Sequence, residues 1–252
     1  MDYLASWKDK LDDAIRDGNL DKVREILDRA LKKGGVNLLD NPEHFYEYFL
    51  STACASGHKD IVLLLIERGA DVNETDDSFY LGTPLLRASR YGHGEIVNIL
   101  LNAGAKIHLA SDERKPIHFA KTPEVAALLL ENGASITDLT DGEKGETPLI
   151  AAVMQGNLDV ADFLLSKGGS INDRNKKGET ALHITSSISK AKFLLDRGCN
   201  PTIENNKGET AVAVAKRKGL IDLASMLEIK RQEYVLKARH LGDSRGRRQS
   251  GL

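Results

Sequence analysis

Apolar residues recur along the chain in blocks of two short amphipathic helices, separated by polar, glycine-containing turns. In one block, Leu85 and Ala88 would share a face of the first helix, and Ile96 and Leu100 a face of the second. Gly92 is placed to end the first helix in a left-handed conformation. No single pair of such short helices can bury its apolar face alone, so the pattern predicts units that stack side by side.

The blocks repeat with a nearly constant period. A start signal of the Thr-Pro-Leu type, in steps of 32, 32, 33 and 30 residues, recurs at Thr83, Lys115, Thr147, Thr180 and Thr210. Threonine at a helix N-cap accepts hydrogen bonds from first-turn amides, and proline suits the first helical position, where no amide donor is needed. Apolar residues followed by x-x-Gly close each of the first four of these units. Such self-similarity predicts a repeat architecture.

This composite pattern resembles the ankyrin repeat, a β-turn followed by two antiparallel helices. The resemblance covers roughly residues 8–240, as about seven units that begin near Lys8, Asn41, Asp76, Ser111, Glu143, Lys176 and Lys207. It implies an all-α ankyrin-repeat solenoid of stacked helix-turn-helix units with β-turn fingers. We divide the chain into an N-terminal capping unit (1–40), repeats (41–206), a C-terminal capping unit with an extended helix (207–241) and a disordered basic tail (242–252).

Two units are shorter than the others. In full units the start threonine and the glycine that closes the second helix are 21 residues apart. In the fourth unit, where Lys115 replaces the threonine, and in the sixth unit, this distance is 18 residues. The loss falls at the turn between the helices, and we expect it to change local curvature or tighten one face, since deletions in solenoids fall in turns. His118 and His183 of these units match the histidine of the family's Thr-Pro-Leu-His phrase, which implies structural hydrogen bonds between neighbouring units.

The sequence carries no constellation typical of an enzyme. Motifs of serine hydrolases, zinc proteases and phosphate loops are absent, and Gly92 and Gly94 lie between two helices rather than between a strand and a helix. We therefore predict a protein that is not an enzyme and that needs no cofactor or metal. Cys54 and Cys199 have no partner at ligand spacing and are interpreted as small buried thiols in a reducing compartment.

Composition and charge narrow the class of protein further. Apolar residues make up 41% of the chain and charged residues 29%, and the formal net charge is −2, so no nucleic-acid partner is expected. The first 30 residues contain no secretory signal, and no apolar run is long enough to span a membrane. We expect a cytoplasmic or nuclear monomer. From Lys230 to Leu252, seven Lys or Arg residues accompany only two Asp or Glu residues.

The positions whose side chains do not pack between neighbouring repeats are predicted to face a partner protein. In ankyrin repeats, partners contact the turn before Gly-x-Thr and the end of the first helix, on an extended concave surface. Tyr, Phe and Arg are typical interface anchors. For Phe79 and Tyr80 the alternative is packing against the neighbouring finger. The residues selected are Phe79, Tyr80, Arg87, Arg90 and Tyr91 in the third unit and Met154 and Gln155 in the fifth.

Three further positions resemble modification or ligand motifs. Ser250 follows two arginines, as in sites for basic-directed kinases, and Ser250 to Leu252 resembles the C-terminal ligand of PDZ domains. Phosphate on Ser250 would block a PDZ contact by charge and bulk. A solubilising tail is the alternative. Asn73 matches a position that is hydroxylated in some ankyrin proteins, and the alternative there is a turn hydrogen bond.

These observations predict a non-enzymatic adaptor or scaffold that binds a partner protein on its concave finger and first-helix surface. Two alternatives would use the same scaffold. One is an inhibitory regulator that masks the site of an enzyme or transcription factor, and the other is a bacterial effector that binds a host protein. The residues do not identify the partner, because one fold serves many functions.

Overall fold

The computed structural model describes residues 2–32, 42–73, 82–109 and 115–249, and side chains for 7–29, 48–73, 82–109 and 115–240. Some of the predicted contact and tail residues lie outside this part of the chain. They are Phe79, Tyr80, Ser250 and Leu252.

The described residues form thirteen α-helices and one 3₁₀ helix, which confirms the all-α prediction. One isolated β-bridge, Glu204 to Thr210, accompanies them. In chain order the α-helices are α1 (Asp2–Arg16), α2 (Leu20–Lys32), α3 (Pro42–Ser56), α4 (Lys59–Glu67), α5 (Pro84–Tyr91), α6 (Gly94–Asn102), α7 (Pro123–Glu131), α8 (Pro148–Gln155), α9 (Leu158–Ser166), α10 (Ala181–Ile184), α11 (Ile188–Asp196), α12 (Ala211–Arg217) and α13 (Ile221–Gln249). The 3₁₀ helix, Pro116–Phe119, precedes α7.

The chain divides into two compact units, Met1–Ser135 and Ile136–Leu252. In the first unit, α1, α3, α5 and the 3₁₀ helix contact one another in succession, and so do α2, α4, α6 and α7. In the second unit, α8 contacts α10 and α10 contacts α12, while α11 contacts α13. First helices therefore stack on first helices and second helices on second helices, as the repeat pattern predicts.

The apolar face of each hairpin forms the core. Leu65, Leu85 and Leu100 are fully buried in the first compact unit, as are Leu149 and Ile150 in the second. Removing one such side chain from water contributes roughly 1.5–3 kcal/mol. Because each face is covered by the neighbouring hairpin, the stability of the stack depends on contacts between successive repeats.

The full-length first helices begin and end as predicted. The Thr83 hydroxyl accepts from the Leu86 amide at 3.2 Å, and the Thr147 hydroxyl accepts from the Ile150 amide at 3.3 Å. Each helix has proline in its first turn and ends at a glycine with φ near +83° or +82°. Caps of this kind fix where a short helix starts and where the chain turns back.

Replacing Thr147 by alanine is expected to lower the free energy of unfolding by about 1 kcal/mol, because the Ile150 amide loses its acceptor. Urea unfolding followed by circular dichroism measures the change. Thr147→Ser keeps the hydroxyl and should retain most of the stability. Equal losses in both variants would instead point to the threonine methyl group.

The two shortened units have lost part of the first helix. The 3₁₀ helix and α10 each contain four residues, against eight in α5 and α8. Ala120 and Thr185 then leave the helical conformation, and the chain proceeds directly to the caps of the second helices. Thr122 caps α7 and Ser187 caps α11 by accepting from first-turn amides. The deletion therefore removes the end of the first helix as well as the turn in which the sequence analysis placed it.

The C-terminal helix is longer than the sequence indicates. We expected it to extend towards His240 and to be followed by a disordered tail from residue 242, but α13 continues to Gln249. The helix thus includes residues 242–249. The segment contains no proline, and adding residues to an existing helix avoids the cost of nucleation, so single glycines do not stop it.

Candidate partner-binding surface

Histidines in the turns between helices join successive units of the first compact unit. The Nε2–H of His58 donates to the Arg16 carbonyl at 3.0 Å, and that of His93 donates to the Ala55 carbonyl at 3.0 Å. Each carbonyl lies at the end of the preceding unit's first helix, where carbonyls lack partners within the helix. These two histidines are therefore structural.

The shortened units use other groups at this junction. The amide of Lys121 donates to the Ser89 carbonyl at 3.1 Å, so the chain of the fourth unit turns next to the last turn of α5. In the sixth unit the Lys190 ammonium donates to the Met154 carbonyl at the end of α8. Both bonds satisfy a carbonyl near the C-terminus of a full-length first helix.

Of the predicted contact residues of the third unit, the structure describes three, and these lie on α5. Tyr91 is 52% exposed, and its ring is nearly parallel to that of His93, with centroids 6.5 Å apart. Arg90 is exposed, and its guanidinium lies 5.4 Å from the centroid of the Phe119 ring. Arg87 lies one turn earlier and is half-buried. Arg90 and Tyr91 thus lie at the end of α5, where it borders the fourth unit.

Sequence reasoning missed two neighbours of these residues, Phe119 and Lys121. The three-residue deletion was the available signal, because it ends the first helix at Phe119 and places Lys121 next to α5. We call Arg87, Arg90, Tyr91, Phe119 and Lys121 the basic-aromatic face. It lies entirely within the first compact unit.

The predicted residues of the fifth unit belong to the second compact unit. Gln155 is exposed, and its side-chain amide donates to the Ala151 carbonyl at 3.2 Å. Met154 is half-buried. The Lys190 ammonium, which donates to the Met154 carbonyl, places a positive charge beside this part of the predicted surface.

The fingers of the second compact unit are joined through their backbones. The Lys176 amide donates to the Lys144 carbonyl at 2.9 Å, and the Asn206 amide donates to the Lys177 carbonyl at 3.0 Å. Within one finger, Asn175 Oδ1 accepts from the amides of residues 177 and 179. Because these backbone groups are engaged inside the protein, a partner at the fingers would contact mainly side chains.

The histidines of the shortened units hold the stack together. His118 Nδ1 accepts from the Lys115 amide at 3.2 Å, which satisfies the amide of the residue that precedes the 3₁₀ helix. His183 Nδ1 accepts from the Thr180 amide at 3.2 Å, while its Nε2–H donates to the Glu209 carbonyl of the next unit at 3.1 Å. Burial lowers the pKa of His183, which favours the neutral ring that these bonds require.

Asn73 likewise makes contacts between units. Its side-chain amide donates to the Gly104 carbonyl at 3.2 Å, and its Oδ1 accepts from the Lys106 amide at 2.6 Å. In the second compact unit, Asn172 Oδ1 accepts from the Asn200 amide at 2.8 Å. Such bonds support the structural interpretation of Asn73.

The two cysteines are poorly suited to nucleophilic chemistry. Cys54 and Cys199 are free and buried, and burial raises the pKa of both thiols, that of Cys199 to about 12. A thiol protonated at neutral pH is a poor nucleophile. The described residues contain no group of three or more His, Cys, Asp and Glu side chains placed to hold a metal ion. Within those same residues, no helix has the length and apolar character needed to cross a membrane.

A known family model matches most of the chain. The model described as "Ankyrin repeats (3 copies)" matches residues 11–111, 102–175 and 117–205. These ranges contain most of the helical hairpins described above.

Among curated proteins, the chain is 31% identical over 170 residues to "Ankyrin repeat protein nuc-2" of Neurospora crassa, covering 66% of this chain and 15% of that protein. It is 33% identical over 138 residues to human "Ankyrin repeat and SOCS box protein 16", covering 53% and 30%. The chain thus spans less than a third of the length of either relative.

Two solved structures are similar over most of their length. The human ASB11 ankyrin repeat domain aligns with a TM-score of 0.65 at 29% identity, covering 86% of this chain and 96% of that one. A chain of the Bdellovibrio bacteriovorus predatory endopeptidase Bd0816 in complex with immunity protein Bd3460 aligns with a TM-score of 0.58 at 30% identity, covering 72% and 97%.

Proposed function

Because the chain belongs to the ankyrin-repeat family, whose fold is typically a non-catalytic protein-interaction module, we propose that it is an adaptor or scaffold that binds a partner protein through its finger and first-helix surface. The observation that carries this proposal is the exposure of Tyr91 beside Arg90 at the end of α5. We propose further that the protein acts as a cytoplasmic or nuclear monomer.

The scaffold does not require these side chains. Met154 and Gln155 occupy the corresponding positions of α8, and that helix has the same length, N-cap and C-terminal glycine. Tyrosine and arginine are enriched among residues that dominate binding energy, because they combine large contact area with polar groups. Their presence at an exposed, structurally dispensable position supports a role in binding.

Replacing Tyr91 by alanine is expected to weaken partner binding at least about tenfold without changing helix content. The measurement is a crosslinking pull-down from the source cell, with the captured protein identified and its affinity determined. A variant that also replaces Phe79 and Tyr80 tests the third finger. Met154→Ala/Gln155→Ala tests the fifth unit.

A chain that ends at Leu241 tests the tail motifs at Ser250 and Leu252. If capture depends on residues after Leu241 and not on Tyr91, the proposed surface is wrong and the C-terminal segment is the binding element. A fall of several degrees in the melting temperature of Tyr91→Ala would assign Tyr91 to packing instead.

A second candidate is an inhibitory regulator that covers the site of an enzyme. The similar Bdellovibrio structure is that of an endopeptidase in complex with an immunity protein, and this makes an enzyme a reasonable kind of partner to test. Adding this protein to the captured partner distinguishes the two roles. An adaptor leaves the partner's activity unchanged, whereas an inhibitor reduces it in proportion to occupancy.

A further inference from the structure

The last helix is much longer than the repeat requires. The second helices α4, α6, α7, α9 and α11 contain nine residues each, but α13 contains 29. The side chains of α13 that are buried in the described part of the chain, Leu223, Ala224 and Leu227, lie within its first nine residues. We call residues 229–249, which continue the helix past this packed part, the overhang.

The overhang exposes large apolar side chains on two sides. Of residues 232–240, all except Val235 are exposed. Leu236 is 54% exposed, and Ile229, which precedes it by seven residues and so lies on the same side of the helix, is 57% exposed. Tyr234 is 39% exposed and precedes Leu236 by two residues, which places it roughly 200° away around the helix axis.

The repeat does not account for the apolar side chain at the base of the overhang. Ile229 is the ninth residue of α13, and the ninth residue of each of the five nine-residue helices is polar. These residues are Glu67, Asn102, Glu131, Ser166 and Asp196. An exposed apolar group adds nothing to the stack at this position, and a group of such side chains is typical of a surface that another molecule covers.

The overhang is also basic. It contains seven Lys or Arg residues and two Asp or Glu residues, although the formal net charge of the whole chain is −2. Near its base Lys230 pairs with Glu233 at 2.8 Å. Arg231 pairs with Glu228 at the same distance. Beyond Glu233 the overhang has five Lys or Arg residues and a single carboxylate, that of Asp243. Its C-terminal part therefore carries a surplus of positive charge.

We propose that the overhang is a docking helix for an acidic protein that encloses it in an apolar groove, with Ile229, Tyr234 and Leu236 as anchors. A groove that surrounds a helix covers apolar side chains on two sides, and acidic residues at its rim complement the basic residues of the overhang. A lipid surface covers only one face of a helix. Nucleic acid is bound mainly through phosphates, which leaves the apolar side chains uncovered. The site goes beyond the proposed function, since it is separate from the finger and first-helix surface.

The test uses calcium-loaded calmodulin as the probe, an acidic protein whose open form presents a methionine-rich apolar groove to amphipathic helices. Calcium-free calmodulin is the matched control, because its sequence is the same and its groove is closed. Titration of the full chain into dansyl-labelled calmodulin measures the dissociation constant. We expect a value of about 1 μM or tighter with calcium and at least about tenfold weaker binding without it.

Variants on exposed positions of α13 separate the anchors from the charges. Ile229→Gln/Leu236→Gln removes the apolar side chains of one side and should weaken binding at least about tenfold. Lys237→Glu/Arg239→Glu reverses two charges and should weaken binding by a similar factor. Ile221→Gln is the matched control, because Ile221 is 67% exposed but lies at the packed end of the helix. This variant should retain binding, and equal melting temperatures would exclude loss of folding.

Several results would overturn the inference. They are no binding of calcium-loaded calmodulin, equal binding with and without calcium, unchanged affinity in either overhang variant, and a loss in Ile221→Gln as large as in Ile229→Gln/Leu236→Gln. Tighter binding to phosphatidylserine vesicles or to a DNA duplex in the same buffer would also overturn it. The proposed function is judged separately, because Tyr91→Ala should leave the binding of calmodulin unchanged. If Tyr91→Ala loses the cellular partner and calmodulin does not bind, only the inference about the overhang is wrong.

Discussion

Replacing Gly57 by alanine is expected to lower the free energy of unfolding by about 3 kcal/mol, a large effect for one methyl group added to a turn. Gly57 has φ +83°, and a Cβ at this position would lie 2.6 Å from His93 Cε1 and 2.9 Å from Nδ1. The new methyl group would therefore push the imidazole away from the Ala55 carbonyl. The variant combines backbone strain with loss of a hydrogen bond between units.

Gly104→Ala is the matched control. Gly104 has a similar φ of +88°, but a Cβ there would meet nothing within 4 Å. Its substitution should cost about 1 kcal/mol, which measures the backbone strain alone. Urea unfolding followed by the fluorescence of Trp7, the single tryptophan of the chain, reports on the first compact unit, which contains both glycines.

The same experiment can separate the clash with His93 from the backbone strain at residue 57. In a His93→Ala background the Gly57 substitution should cost about as much as the Gly104 substitution, because the clash has been removed. A cost in that background as large as in the natural sequence would assign the effect to the backbone of residue 57 rather than to its contact with His93.

Local chemistry explains why much of the scaffold could be predicted from sequence. Thr83 and Gly92 each act within one turn of the chain, and the spacing of Leu85 and Ala88 follows from helix geometry alone. The histidines were assigned correctly as structural for a different reason, which is that they match the family phrase. Their partners, such as the Glu209 carbonyl for His183, depend on how units stack.

The basic-aromatic face could be predicted only in part. Arg90 and Tyr91 follow from their position at the end of a first helix. Phe119 and Lys121 belong to the next unit, and their proximity to Arg90 depends on where the shortened helix ends and on the bond from the Lys121 amide to the Ser89 carbonyl. A missing turn can be counted in the sequence, but the side chains it brings together cannot.

The C-terminal helix shows a different limitation of prediction from sequence. The residues after Leu241 are polar and lack apolar periodicity, and composition alone then favours disorder. Composition does not take account of a helix that already exists immediately before the segment. Leu223 and Leu227 of α13 are buried against the rest of the second compact unit. Residues that extend such a packed helix require only propagation.

Replacing His183 by leucine is expected to lower the free energy of unfolding by about 2 kcal/mol at neutral pH. The Thr180 amide loses its acceptor in a fully buried position, and the Glu209 carbonyl loses one of its two donors and keeps the Asn205 amide. Leucine retains most of the volume, so the loss reports mainly on the hydrogen bonds that join the sixth and seventh units. Circular dichroism during urea unfolding measures the change.

The free energy of unfolding should depend on pH differently in the natural protein and in His183→Leu. Burial lowers the pKa of His183 below its ordinary value of 6.5, so the unfolded chain binds a proton more readily than the folded protein as the pH falls through this value. The contribution of His183 to stability is therefore complete above about pH 7 and declines on acidification below about pH 6.5. In His183→Leu this loss is absent, so the stability gap between the two proteins should narrow from about pH 7.5 to about pH 5.5. A gap that stays constant or widens would mean that protonated His183 is accommodated in the stack, and the imidazole would then not be held neutral by its burial between these two units.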